Sequence, residues 1–249
     1  MLSKTIVKYI QSLAHKKLRD EQGVFIAEGP KVVSDLLHSG KVKCKTVYGL
    51  PGWLDENAVL LKNFAADKIE ITESDLEKIS LLQTPNKVVA VFYKKADKLS
   101  DLTNNFSLML DEIQDPGNMG TIIRTADWFG IKNIICSNEC VDHYNPKVVQ
   151  ASMGSIARVN IIYNDLEEFL KNTAGIKMYA ATLSGKDVSS LKIKEGIILI
   201  GNESKGVSEK LLKHVAGQIT IPKKGEAESL NAAVACGIIL SHLTYGNTL

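Results

Sequence analysis

The chain has 249 residues, 45% of them hydrophobic and 23% charged, with a formal net charge of +2 at pH 7. This is ordinary globular composition, long enough for one large domain or two smaller ones, and no internal repeat or low-complexity segment appears along it. Overall charge therefore says little about partners, but its distribution says more: residues 1–45 carry nine Lys/Arg against four Asp/Glu, whereas residues 95–146 carry four against eight. A basic N-terminal segment points to a polyanion such as RNA or DNA.

Residues 3–20 place Ile6, Ile10, Leu13 and Leu18 at helical spacing, which predicts one amphipathic helix. It lacks the continuous apolar core of a signal peptide. A short strand follows at 24–27, a turn at Glu28-Gly29-Pro30, and a helix over 31–38. Strands are expected at 45–48 and 68–71. Ser74 with Glu77 three residues on reads as a capping box opening the next helix, and 88–92 is a β-prone run. These elements make a small α/β domain over residues 1–93. Residues 94–105 are polar and without periodicity, and read as a linker.

A second alternation fills residues 106–249. Strands are predicted at 107–113, 133–137, 157–162, 177–182, 197–201 and 218–221, and helices at 118–129, 145–152, 165–171, 207–214 and 229–245. Several strands are apolar throughout, as strands buried on both faces of a parallel sheet are. Such sheets bind ligands at the C-terminal ends of their strands, which selects Asp115 to Asn118, Gly201 to Gly206 and Pro222 to Asn231. In the first, Pro116-Gly117 reads as a breaker between strand and helix. Arg124 lies further along that helix; only Arg19, Arg124 and Arg158 are arginines here. The planar fork suits a bidentate task, although pairing with Asp111 or Asp127 is the plain structural reading. In the second loop, Glu203 can orient a cation or start a helix, and neither a Walker loop nor a dinucleotide fingerprint is present. In the third, Ser229 reads as an N-cap with Asn231 in the first turn of an apolar helix.

Other chemistries find little support. No G-x-S-x-G or H-E-x-x-H occurs, and the five histidines are dispersed. Cys136 and Cys140 are spaced C-x3-C, but nothing completes a metal site, so no metal is expected. The four cysteines fit a reduced, cytoplasmic setting. The longest apolar tract, Ala232 to Leu240, is too short to span a bilayer, so no membrane partner is expected.

The motifs Asp115-Pro116-Gly117-Asn118-Met119-Gly120 through Arg124-Thr125-Ala126, then Gly201-Asn202-Glu203-Ser204-Lys205-Gly206, then Ile221-Pro222 with Ser229-Leu230-Asn231, resemble the three motifs of the SpoU-like (TrmH-type) RNA 2′-O-ribose methyltransferases of the SPOUT superfamily. Residues 19–29 and 84–92 resemble that family's small N-terminal substrate-binding domain, and Ala151 to Ser155 another family segment. The resemblance implies an α/β chain: an L30e-like RNA-binding domain over 1–93 and a trefoil-knot methyltransferase domain over 106–249. It implies S-adenosylmethionine as cofactor, held by Thr182, Gly201, Asn202, Ile221, Pro222 and Leu230. It also implies a polar catalytic set of Asn118, Arg124, Glu203, Ser229 and Asn231, and a homodimer. The expected substrate is ribosomal RNA, with transfer RNA, a knotted RNA-binding protein without turnover and a small-molecule methyltransferase as alternatives. The third motif departs from many relatives in Lys223-Lys224 and in Ala232-Ala233.

Overall fold

The computed structural model describes residues 1–173 and 175–245; the last four positions of the expected second domain lie outside the described residues. In chain order the first elements are α1 (Lys4–Ser12), α2 (Lys16–Gln22), β1 (Val24–Glu28), α3 (Pro30–Ser39) and β2 (Cys44–Gly49). They continue with α4 (Pro51–Glu56), α5 (Ala58–Lys62), β3 (Asp67–Glu70), α6 (Glu73–Ile79) and β4 (Val88–Tyr93). Then come β5 (Phe106–Leu110), α7 (Pro116–Trp128), β6 (Asn133–Cys136), α8 (Pro146–Ser152), β7 (Asn160–Tyr163) and α9 (Leu166–Asn172). The chain ends with β8 (Met178–Asp187), β9 (Gly196–Ile200), α10 (Glu209–Leu212), β10 (Gly217–Thr220) and α11 (Ala232–Tyr245).

Two compact units result. The first comprises Met1–Ala96 together with Asp142–Arg158; the second comprises Asp97–Val141 and the described residues from Val159 onward. The first is built on a four-stranded sheet of order β1-β4-β2-β3, in which only β2 and β3 run parallel. Ile10, Leu13, Val24, Ile26, Ile79 and Val91 form its core against this sheet.

The single helix expected over 3–20 is instead two helices, and Arg19 is the reason. Between them, Leu13, Ala14 and His15 donate back only three residues. The Arg19 guanidinium, 1% exposed, collects the freed carbonyls of Leu13 and Ala14 at 2.9 and 2.8 Å and ion-pairs with Asp142 at 2.6 Å. One buried cation thus ends a helix and ties residues 142–158 to the same unit. The ring of Tyr144 packs on Phe25 with centroids 4.7 Å apart, and α8 packs on β1. The cap of α6 is Thr72, which accepts from Asp75 N at 3.2 Å, rather than Ser74.

The second unit has one six-stranded sheet, β10-β8-β9-β5-β6-β7, parallel throughout. β9 is buried at all five positions and β5 at four of five, so helices must cover both faces. The β8–β10 register jumps: Gln218 pairs with Ala180, but Ile219 pairs with Lys186. Residues 181–185 therefore bulge out of β8. A Cβ at Gly185 would lie 2.6 Å from the backbone of Gln218 and Ile219, so only glycine lets the two chains cross this closely.

Candidate functional site

The order β10-β8-β9-β5 brings close together β5, β9 and β10, whose C-terminal ends carry the three loops singled out above, with β8 between β9 and β10. Backbone pairing alone thus brings together segments more than a hundred residues apart.

The first loop leaves β5 at Asp111. The carboxylate of Asp111, 5% exposed, accepts Ser208 N at 2.9 Å and is not a partner of Arg124. Glu112 has φ 55°, left-handed backbone that a glutamate rarely adopts. Its surroundings hold it there. Its N–H donates to Ser137 Oγ at 3.1 Å, its carbonyl accepts Asn202 Nδ2 at 2.9 Å, and its carboxylate pairs with Lys205 at 2.7 Å. Next door, Cys140 Sγ accepts from Ile113 N and donates to Leu110 O, both at 3.3 Å. The Sγ also shares a hydrogen bond with Cys136; that bond, with those from Ser137 and two backbone N–H groups, lowers the Cys140 pKa against its burial.

Asp115 then caps α7, accepting Asn118 N at 2.8 Å. Pro116 occupies the first helical turn, where its missing N–H costs nothing. The expected breaker is therefore the start of the helix, and Asn118 lies in its first turn.

The second loop closes on itself. Asn202 and Gly206 exchange backbone hydrogen bonds at 3.1 and 2.9 Å, and Asn202 Oδ1 accepts Ser204 N and Lys205 N. A Cβ on Gly201 would stand 2.4 Å from Gly206, so the loop admits only glycine there. Asn202 is spent on building this loop, and Glu203 projects from it.

In the third, residues 222–231 are exposed. α11 begins at Ala232, later than expected, and Asn231 is its cap: Asn231 Oδ1 accepts Ala233 N at 3.0 Å and Val234 N at 3.2 Å. Ser229 is exposed coil rather than the cap.

Three of the five proposed polar residues meet. Asn118 Nδ2 donates to Glu203 Oε1, while Asn118 Oδ1 accepts from Asn231 Nδ2 at 2.8 Å. Glu203, Asn118 and Asn231 thus form one directional chain across three strand ends. A carboxylate can only accept when ionised, which turns the Asn118 amide nitrogen toward it and leaves the amide oxygen for Asn231. Arg124 and Ser229 stand outside this chain. Arg124 is exposed on α7, and among the described residues it enters no hydrogen bond or ion pair. It shares a helical stripe with exposed Thr121 and with Trp128, which is 79% exposed. On α11, Val234 and Tyr245 are likewise exposed, and Tyr245 packs edge-on to Phe129 at 5.8 Å. Thr182 donates to Gln218 at 3.0 Å from the adjoining strand, and Leu230 is 45% exposed. Sequence reasoning missed Asp111, Glu112, Ser137 and Lys205, which position the site residues; nothing in the local sequence of Glu112 signals its left-handed backbone.

Among the described residues no cluster of three His, Cys, Asp or Glu is placed to hold a metal ion, and no helix is long and apolar enough to cross a membrane.

Comparison with known proteins bears on this arrangement. Residues 105–241 match the SpoU rRNA Methylase family, and residues 4–90 match an MRM3-like substrate binding domain. The chain is 30% identical over 248 residues to the 23S rRNA (guanosine(2553)-2′-O)-methyltransferase RlmP of Bacillus subtilis, covering 95% of each protein. A solved structure described as a putative RNA methyltransferase of the TrmH family from Porphyromonas gingivalis superposes with TM-score 0.84 at 35% identity, covering 97% of each chain. The AdoMet-bound rRNA methyltransferase of Sinorhizobium meliloti gives TM-score 0.85 at 33% identity, covering 99% of this chain and 96% of that one.

Proposed function

Because the chain belongs to the SpoU rRNA methylase family, we propose that it transfers a methyl group from S-adenosylmethionine to a ribose 2′-hydroxyl of RNA, with ribosomal RNA as the substrate. The observation that carries this reading is the Glu203–Asn118–Asn231 chain, which joins three strand-end loops into one polar site. The donor set fits the cofactor. Thr182 lies in the bulge of β8, Gly201 and Ile221 follow the neighbouring strands β9 and β10, Asn202 shapes the loop that carries Gly201, and Pro222 and half-exposed Leu230 offer apolar surface to an adenosyl group. Bound there, S-adenosylmethionine supplies an electrophilic methyl on a sulfonium.

The protein's own work is then positioning, because the electrophile is already activated. The 2′-hydroxyl must lie in line with the methyl and lose a proton. Arg124 suits the developing alkoxide and an adjacent phosphate, since its fork offers several donors and its charge is permanent. For that same reason it is no literal base. Asn118, held from both sides, and Ser229 hold the ribose or relay its proton to solvent, with the neutral thioether as the spent donor. Glu203 and Asn231 keep Asn118 in one rotamer.

The exposed stripes of α7 and α11, with Trp128, Val234 and Tyr245, support a homodimer that buries them. Residues 1–93, with 142–158 packed on them, serve as the RNA-binding domain, joined through 94–105 to the knotted methyl-transfer domain built from the rest of 106–249. The four free cysteines support a cytoplasmic location. The test is transfer of tritiated methyl from S-adenosylmethionine to total RNA of a deletion strain, with the label mapped to its nucleotide. Label on a base rather than a ribose, or no label, refutes the reading. Full turnover by Arg124→Lys refutes the bidentate role.

A further inference from the structure

In the first compact unit, remote in sequence from the three strand-end loops, a cavity of about 260 Å³ opens beside β1, the turn after α6, and α8. Leu81, Leu82 and Ala151 give it apolar walls; Glu28, Lys147 and Gln150 are its polar members. Glu28 is 5% exposed, whereas Lys147 is solvent-exposed. We propose that this cavity receives a single unpaired guanine base of the RNA substrate, read by the Glu28 carboxylate. The proposal rests on the RNA reading above and concerns a base recognised outside the methyl-transfer network.

The volume lies below that of pockets that enclose a whole drug-sized ligand, so it suits one ring system. Apolar walls suit the faces of a flat base, and extruded single-stranded bases are the usual targets of sequence-specific RNA recognition. The carboxylate is fixed before any ligand arrives: Oε1 accepts Leu81 N at 2.9 Å, and Oε2 accepts the Ser80 hydroxyl. Leu82 N also approaches the carboxylate, but its own hydrogen bond goes to Ser80 Oγ at 3.1 Å, so each carboxylate oxygen keeps a lone pair for a guest. An ionised carboxylate only accepts, so it selects an edge with two adjacent donors. Guanine presents such an edge, N1–H beside the 2-amino group. Adenine and cytosine place an acceptor beside their amino group, and uracil flanks its N–H with two carbonyls. Lys147 supplies a charge for the attached phosphate.

The test uses the full-length chain with S-adenosylmethionine and fluorescein-labelled RNA heptamers of uridine carrying G, A, C or inosine at the centre. Binding is read by anisotropy. The G heptamer is expected to bind roughly tenfold tighter than the A, C and all-U heptamers, the discrimination of one good bidentate base contact. Inosine, which lacks the 2-amino group, should lose most of that gain. Glu28→Gln and the cavity-filling Ala151→Trp should each bring the G heptamer down to the all-U level. If Glu28→Gln does not fold, Ala151→Trp decides. All heptamers bound alike by the wild type, or the G preference surviving in Ala151→Trp, overturns the proposal while leaving the RNA reading intact. No binding of any heptamer at the highest protein concentration overturns both. Equal gain from an arginine-containing peptide that competes with the G heptamer would reassign the cavity to a protein partner.

Discussion

Asn118→Asp tests the polar chain most directly, because it changes one amide to a carboxylate of the same shape. Asn231 can still donate to residue 118, but the donor toward Glu203 is lost and two carboxylates are placed in contact. A hydrogen bond to a charged group is worth about 1.5–3 kcal/mol. Two carboxylates about 4 Å apart repel by roughly 4 kcal/mol at an effective dielectric of 20. The site is partly exposed, so the lower part of each range applies, and the pair can relieve its repulsion by sharing a proton. We expect a loss of about 3 kcal/mol in kcat/KM at pH 8, or roughly 150-fold, with activity relative to wild type rising as pH falls toward 6. Adding Glu203→Gln returns a donor with reversed polarity, and the double variant should recover at least about tenfold over Asn118→Asp alone. The assay is tritiated-methyl transfer at saturating cofactor across pH 6–9, with thermal unfolding run alongside. An Asn118→Asp profile parallel to wild type, or a double variant no better than the single one, would refute the view that this chain positions the reacting groups.

Three further outcomes follow from other parts of the molecule. Trp128→Glu should convert the protein to monomer in sedimentation equilibrium and abolish methyl transfer, because it replaces the exposed indole of α7 with a charge at the surface proposed to be buried between subunits. Lys205→Met should change unfolding stability by no more than about 1 kcal/mol, as its ion pair with Glu112 is exposed, yet raise the KM for S-adenosylmethionine severalfold by freeing the loop that carries Gly201. His143, 7% exposed, has its pKa lowered to about 4, chiefly by burial. Between pH 6.5 and 4 the unfolded chain binds a proton there that the folded chain does not. The His143 contribution is therefore fully present above pH 6.5 and is lost as pH falls, the loss amounting to about 2 kcal/mol at pH 5. Urea unfolding of wild type against His143→Phe should show this slope in wild type only, and the difference cancels the opposing effect of Glu28, whose pKa burial raises.

The fold was legible wherever one physical cause dominated. β9 and β5 are apolar at nearly every position because helices cover both faces of their sheet, and that leaves an unmistakable run in the sequence. Elements decided by distant partners were not legible. The residues over 3–20 keep one helical period, yet the helix breaks because Arg19 needs the carbonyls of Leu13 and Ala14 and finds its counter-ion at Asp142, 123 positions on. In isolation Ser74 is the better cap, yet the helix starts two residues earlier, with Thr72 accepting from Asp75 N. α4 and α5, six and five residues long, carry too few turns for a period to register.

The site divides the same way. Asn118, Glu203 and Asn231 stood out through their motifs, and their junction follows once the strand order is known. Glu112 could not be found so, because its backbone is dictated by Asn202, Ser137 and Lys205 rather than by its own preference. Arg124 poses the remaining geometric question. At 3.6 residues per turn, six positions rotate the helix by about 240°, so Asn118 and Arg124 leave α7 in different directions. One copy of α7 cannot readily aim both at one ribose. Arg124 instead lies on the stripe that ends in Trp128, the surface a second copy would cover. A dimer that buried exposed Trp128 would bring each Arg124 to the subunit interface, and an active site completed across that interface would account for both the exposed indole and the arginine that stands apart from the polar chain. Mixing Arg124→Met with Asn118→Asp subunits at pH 8 then becomes decisive: each homodimer is strongly impaired, and the heterodimer regains one intact site if arginine and amide come from different copies. Activity in the mixture no higher than in either variant alone would place both groups in the same subunit and require α7 to distort on binding RNA.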